Sequence, residues 1–195
     1  MDDFSWLRVP APEAARQLLG CELERTVQGE TLRVRIVETE AYTQDDPASH
    51  TFTGRTARNA AMFLAAGHAY VYLSYGIHSC LNIVVGAEGE GDAVLIRAAE
   101  PLEGEGTMAA LRGRGGRALT NGPGKLGQAL AVGVGLSGHD VALPPLRLIR
   151  RPPLEEGRVV VTTRIGISKA AELPRRFYDR ESAYVSVRAK PAGRG

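Results

Sequence analysis

The sequence predicts a single α+β domain built on a largely antiparallel sheet. Length is the first reason: 195 residues, 44% hydrophobic and 24% charged, suit one domain with a core of its own. The second is that the apolar runs are short, and the clearest alternates with the period of two of a half-buried strand. The third is punctuation, since 23 glycines and 11 prolines imply many turns. The expected domain spans residues 1–195, with 1–10 and 189–195 loosely ordered.

The elements follow in chain order. Pro10 to Gly20 reads as a helix, with proline at its start and glycine at its stop. Leu32 to Glu38 alternates as a strand, and a regular continuation puts Glu38 and Glu40 on the face of Leu32, Val34 and Ile36. A core-side face that ends in carboxylates needs a local reason. Residues 43–60 form a long polar loop of the kind that is usually functional or mobile. Ala60 to Leu64 is a short helix stopped at Gly67. Ala69–Tyr75 and Cys80–Val85 pair as a hairpin across Gly76. Ala93–Arg97 is another strand, residues 103–124 are glycine-rich and irregular, and a helix opens at Asn121-Gly122-Pro123-Gly124-Lys125. Val159–Ile165 and Tyr184–Val187 complete the strands.

A chain of this length buries roughly 70% of its unfolded surface, so neither a metal nor a disulfide is required to hold it. Cys21 and Cys80 form no framework, and His50, His68, His78 and His139 show no metal-ligand spacing. No metal or cofactor is expected. The acidic N-terminus opens no signal peptide, and no apolar run is long enough to span a bilayer. The expectation is a soluble, cytoplasmic monomer. Its charge is polarised: residues 1–50 hold five arginines and ten acids, whereas 147–195 hold twelve basic residues and five acids. The basic end suits a polyanion, or is simply a solvated surface.

Tyrosines cluster where carboxylates stand. Tyr42 follows Glu38 and Glu40, and Tyr70, Tyr72 and Tyr75 crowd one hairpin, in a chain with only 6% aromatic residues. Aromatic faces grip a flat ligand, and a carboxylate held beside a water serves as general base. Glu40, where the strand meets the loop, is the candidate base; Glu38 reads better as a partner of Arg33 or Arg35. Arg97 ends an apolar strand and needs a carboxylate such as Glu40. Asn82 breaks another apolar strand, and either braces the backbone or reads a ligand edge. Tyr75 and Ile77 at the hairpin tip form a wedge for a base-pair step, or Tyr75 folds back into the core; the residues leave both open. The turn at Asn121–Lys125 lacks the spacing of a nucleotide-triphosphate loop.

Several ordered motifs resemble one family: Arg35-Ile36-Val37-Glu38-Thr39-Glu40-Ala41-Tyr42, His50, Arg58-Asn59, Tyr70-Val71-Tyr72 through Tyr75-Gly76, and Ala98 to Gly104. Asn121 to Leu126 and Arg175 to Tyr178 fit as well. The chain resembles the alkyladenine (3-methyladenine) DNA glycosylases that lack a helix-hairpin-helix, across residues 15–188. The resemblance implies a mixed domain whose protruding β-hairpin intercalates into DNA, with no cofactor. It implies Glu40 as general base, Arg97 and the Ile165 main-chain carbonyl as further contacts of the attacking water, and Tyr42 and His50 on one face of the flipped base with Tyr72 on the other. Asn82 then excludes the 2-amino group of guanine, Tyr75 intercalates and Ile77 wedges beside it. The implied partner is double-stranded DNA carrying a damaged purine, in a compact enzyme of a bacterial nucleoid. No lysine stands beside the carboxylate in sequence, so the expected product is an abasic site without strand cleavage. His78 departs from an expected aromatic, and residues 88–91 lengthen one connection by two. The readings to separate are this glycosylase, a damaged-DNA binding module without catalysis, and a hydrolase of free nucleosides, which leaves the tip unexplained.

Overall fold

The computed structural model describes residues 3–189. Its eight strands form one antiparallel sheet: β1 (Glu22–Val27), β2 (Glu30–Tyr42), β3 (Ala69–Ser74), β4 (His78–Val84), β5 (Ala93–Glu103), β6 (Leu146–Ile149), β7 (Val159–Thr162) and β8 (Arg176–Asp179). The main path runs β3-β4-β5-β2-β1-β6, and β8 joins β2 to β7. The helices are α1 (Ala11–Gln17), α2 (Glu105–Arg112) and α3 (Pro123–Ala129). Apolar residues of α1 and α3 pack on one sheet face, joining Val34, Ile36, Ile83, Val94 and Ile96 in the main core. Gly127 lets α3 sit directly on β4, because a Cβ there would lie 2.1 Å from the Ser79 carbonyl oxygen.

β2 is the spine, and its register is not regular. Ile36 faces Ala99 of β5 and Glu38 faces Ala98, so Val37 is an extra residue; Thr39 then faces Ile96, so Arg97 is skipped in turn. Such a bulge re-aims the side chains beyond it. Below it Leu32, Val34 and Ile36 enter the core; above it Ala41 does, and the Thr39 hydroxyl donates to the Ala15 carbonyl of α1 at 2.9 Å. Glu38 and Glu40 are thereby turned to the opposite face from Leu32, Val34 and Ile36. An unbroken alternation places them with the core residues, and the bulge at Val37 corrects that expectation.

Other differences have local causes. The stretch 103–124, expected to be irregular, contains α2, and the glycines mark its ends: Gly104 and Gly113 take φ of +77° and +64°. Tyr184–Val187 is not a strand, because its polar groups bond to a side chain and an arginine: Ser186 N–H reaches Glu38 and the Val187 carbonyl accepts from Arg176. The strand expected over 159–165 stops at Thr162, where Arg164 and Ile165 turn toward the β2 carboxylates and loop. β1 and β6 have too little alternation to be read beforehand. Phe4–Leu7, where loose order was expected, is a 3-10 turn with Leu7 buried. The expected tail from Pro191 onward lies outside the described residues.

The charge polarity of the chain also closes on itself. Arg151 pairs with Glu22, Arg147 with Glu24, Arg164 and Arg175 with Asp46, and Arg176 with Glu38. Much of the basic C-terminal part therefore neutralises the acidic N-terminal part instead of facing a polyanion.

The lengthened connection at 88–91 braces the polar loop. Thr51 Oγ1 donates to the Gly91 carbonyl at 2.7 Å, and Gln44 N–H donates to Asp92 at 2.8 Å. Burial pushes the Asp92 carboxyl up to about 6, with Glu90 and Asp45 adding to the rise against the Gln44 N–H. A carboxyl raised on folding holds its proton where the unfolded chain has lost it. Its contribution to stability therefore declines as pH climbs from 3.8 to about 6. Asp92→Asn should remove that decline and stabilise the protein near pH 7 by about 1 kcal/mol, less than the full shift because water screens the partly exposed carboxyl. Urea unfolding of both proteins on either side of that window checks it; a stability difference that ignores pH would refute it.

Candidate active site

The face opposite the core, above the bulge, gathers the site. Glu40 is fully buried, and both its oxygens are held. Oε1 accepts from Ile165 N–H at 2.8 Å and lies 3.2 Å from Arg97 Nη1, while Oε2 accepts from the Tyr42 hydroxyl at 2.8 Å. The structure thus brings Glu40, Arg97, Ile165 and Tyr42 together. At Ile165 the contact is through the N–H and goes to Glu40 itself. Three partners leave lone pairs on the carboxylate for a water.

Glu38 is equally buried and has a different task. It accepts from Arg97 Nε at 3.1 Å, Arg176 Nη1 at 2.7 Å, Ser186 N–H at 2.6 Å and Ser186 Oγ at 2.8 Å. The strand arginines expected as its partners pair elsewhere, Arg33 with Glu24 and Arg35 with Glu100. Burial works against the Arg97 charge, but Glu40 and Glu38 outweigh it and raise its pKa. Glu38 and Arg176 therefore fix Arg97, and Arg97 fixes Glu40.

Aromatic rings wall the space in front. A cavity of about 280 Å³ is lined by Tyr42, His50, Tyr70, Tyr72, Tyr75 and Asn82, among others. That lies near the lower end of small-molecule pockets, roughly 300–1,000 Å³. Burial and the neighbouring Glu40 carboxylate raise the Tyr42 pKa, so the hydroxyl keeps the proton that it donates. His50 meets the Tyr70 hydroxyl through Nδ1 at 2.8 Å, and its ring touches Tyr72 edge to face with centroids 4.5 Å apart. Desolvation, then the Arg58 guanidinium, holds the His50 pKa below its ordinary value. Asn82 is buried and donates through Nδ2 to the Tyr70 carbonyl at 3.1 Å. Its amide oxygen has no bond to another described residue and is the group left for a pocket occupant.

The hairpin tip leaves that wall. Tyr75 is 90% exposed and Ile77 73% exposed, so neither folds into the core. Tyr75 and Gly76 take φ of +52° and +73°, with Ile77 N–H bonded to the Ser74 carbonyl at 3.2 Å, the signs of a type I′ turn. Positive φ is uncommon and costly for a bulky residue that is not glycine. Packing gains nothing from an exposed, strained aromatic next to the pocket, which makes Tyr75 a candidate functional residue.

Several residues here were given no role by the sequence. Asn59 organises the His50 loop, its Nδ2 donating to the carbonyls of His50 and Gly54 at 2.8 and 3.0 Å. Arg164 joins four parts of the site: it pairs with Asp46, donates to the carbonyls of Ala41 and Ala170 at 3.0 and 3.3 Å, and lies 4.7 Å from the centre of the Tyr42 ring. Its residue neighbour Ile165 holds Glu40. Among the described residues no group of three or more His, Cys, Asp or Glu side chains is placed to hold a metal ion.

Arg164 and Asp46 are both closed to solvent. Arg164→Met should cost on the order of 3 kcal/mol, because the only cation Asp46 then keeps among its described partners is the partly exposed Arg175. Adding Asp46→Asn should recover part of the loss in urea unfolding. A double variant no more stable than the single one would show that the buried charge is not the cause.

Comparison with known proteins places these residues in context. A family model described as methylpurine-DNA glycosylase matches residues 5–183. A protein of Carboxydothermus hydrogenoformans named "putative 3-methyladenine DNA glycosylase" is 49% identical over 174 residues, 88% of this chain and 91% of the relative. Proteins of the same name from Methanoculleus marisnigri and Rhizobium meliloti are 49% and 47% identical, covering 89% and 94% of this chain and 92% and 95% of their own.

Proposed function

The chain belongs to the methylpurine-DNA glycosylase family, and from that premise we propose that it releases alkylated and deaminated purines from duplex DNA with Glu40 as its general base. The class covers 3-methyladenine, 7-methylguanine, hypoxanthine and ethenoadenine. The observation that carries the reading is a fully buried carboxylate, fixed by Arg97, Ile165 N–H and the Tyr42 hydroxyl, beside a pocket walled by aromatic rings.

The chemistry follows from those positions. A base inside a duplex is out of reach, so it is turned out of the stack and held by aromatic faces. Tyr75 stands where a side chain can fill the gap that the base leaves, with Ile77 beside it. Tyr42 and Tyr72 supply stacking faces, which also attract the positive charge of a purine alkylated at N3 or N7. A flat ring between His50 and Tyr72 needs about 7 Å between their faces, twice a ring-contact distance of about 3.5 Å. The two rings touch here, so base entry parts them. Asn82 would then meet the edge of the base and crowd the 2-amino group of a normal guanine, a penalty that the cationic and more labile 7-methylguanine can bear.

Glu40 takes a proton from a water as the water oxygen bonds to C1′ of the sugar. The N-glycosidic bond breaks, and the base leaves with the bonding electrons. An alkylated purine is neutral after departure, which makes it a good leaving group, whereas hypoxanthine or ethenoadenine leaves with the same electron pair as an anion and takes up a proton from water. The developing positive charge on the sugar is favoured by the nearby carboxylate. Arg97 keeps Glu40 oriented and helps hold the water. The product is an abasic site, and the DNA strand stays whole. Damaged double-stranded DNA is the partner, and a monomer suffices for the reaction. No helix among the described residues is long and apolar enough to cross a membrane, in keeping with action at a bacterial nucleoid.

Incubation in EDTA with duplexes carrying one hypoxanthine or one ethenoadenine tests the reading, with abasic sites as the readout. Wild type should release the base, and Glu40→Gln should lose about 10²–10⁴-fold in single-turnover rate. An unimpaired Glu40→Gln would remove Glu40 from the role; lesion binding without release by wild type, repeated on a 7-methylguanine duplex, would mark a binding module.

Tyr75 gives a second test with two signs. Tyr75→Gly should raise thermal stability by relieving the positive φ, yet shorten residence on lesion duplex. Equal residence for variant and wild type would end the wedge assignment.

A further inference from the structure

One group of cations without carboxylate partners lies outside the strongly basic C-terminal part. From Gly106 to His139 there is no Asp or Glu, yet Arg112, Arg114, Arg117 and Lys125 all fall there. No carboxylate pairs with any of them among the described residues. Arg114 and Arg117 lie in an exposed turn after α2, and Lys125 is exposed on α3 with its ammonium 2.8 Å from Asn121 Oδ1. Arg112 is fastened by the carbonyls of Leu119 and Ala118, both at 3.1 Å, and by Gln128 Oε1 at 2.5 Å.

This surface is set against the hairpin tip. A cavity of about 420 Å³ between them is lined by Tyr75, His78, Arg112, Gly124 and Lys125, and it shares only Ser74 and Tyr75 with the aromatic pocket. The spacing is held firmly. A Cβ on Gly124 would lie 2.9 Å from His78 Cβ, and one on Gly127 would strike the Ser79 carbonyl. Across the tip, Arg55 and Arg58 line the β3 side, also without carboxylate partners among the described residues. The exposed tip therefore stands between two groups of cations that no carboxylate neutralises among the described residues.

We propose that the α2–α3 surface binds the phosphodiester backbone of the duplex beside the lesion, on the β4 side of the hairpin. The inference rests on the proposed action on duplex DNA. Like charges gathered without acids repel one another and weaken the fold, and a polyanion relieves that repulsion. Arg112 is held in place before binding, so its contact costs little ordering. A tip pushed into a groove leaves sugar–phosphate backbone on both of its sides. Arg55 and Arg58 face one side, and Arg112, Arg114, Arg117 and Lys125 face the other. His78, in place of an aromatic, adds a ring that can donate a hydrogen bond to a phosphate oxygen.

The test compares Arg117→Ala/Lys125→Ala with Arg8→Ala/Arg180→Ala, which removes the same net charge elsewhere. Binding is read by fluorescence anisotropy on a duplex carrying one tetrahydrofuran abasic analogue, across a series of salt concentrations. Each lost phosphate contact should lower the slope of log affinity against log salt by about 0.9. The Arg117/Lys125 pair should therefore lose about 2 in slope and bind more weakly, while the Arg8/Arg180 pair keeps the wild-type slope. Equal slopes for all three proteins, or equal losses in the two pairs, overturn the proposal. Base release by wild type from the hypoxanthine duplex, scored in parallel, reads the activity separately. No base release by wild type from this duplex or from a 7-methylguanine duplex, with slope lost only in the Arg117/Lys125 pair, keeps this surface and removes the glycosylase reading.

Discussion

Two carboxylates and two guanidiniums buried together, Glu38 and Glu40 with Arg97 and Arg176, hold the architecture of this protein. Four charges away from water are costly unless every one is paired and hydrogen-bonded. Here they come from β2, β5 and β8, so the pairing ties three strands in one register. A slip of one residue would leave several charges buried without partners. The bulge at Val37 makes the arrangement possible, because it lets one strand serve the apolar core below and the polar site above. The same sheet that encloses the core thus carries the candidate site on its other face.

Rigidity and exposure are divided between neighbouring parts. Glu40 is held on both oxygens, so its orientation is fixed in advance. Tyr75, on the hairpin that walls the same pocket, is held in an unfavourable backbone conformation and offered to solvent. A preorganised carboxylate lowers the cost of reaching the reactive geometry. A preformed tip lowers the ordering cost of entering a DNA groove. The strained turn and the buried ion cluster are two forms of one economy: the fold bears the cost before the substrate arrives.

Charge follows a similar logic. Arginines of the C-terminal part are tied to acids of β1, β2 and the His50 loop, where they fasten the site. Arg164 shows how much one such residue can organise, since it meets the β2 end, the His50 loop, the 165–170 turn and the Tyr42 ring. Cations without acids also stand on either side of the hairpin tip, where a polyanion can reach them. Net charge by segment describes neither group, because pairing is decided in space.

The sequence by itself determined the fold class, the β3–β4 hairpin with its turn at Gly76, and the family, whose motifs are contiguous runs of residues. Those features depend on local alternation, turn chemistry and residue identity, which survive in one dimension. It also brought Glu40, Arg97, Tyr42, Tyr72 and Asn82 forward as a set, though not the contacts among them. Only the tertiary structure decided which face the carboxylates take, that Glu38 answers Arg97 and Arg176, and that Asp46, Asn59 and Arg164 stand behind the pocket. It alone decided that Tyr184–Val187 lies beside Glu38 without forming a strand. A bulge is one extra residue that leaves no mark on composition or period. An ion pair between residues more than a hundred positions apart exists only once the sheet has set its register.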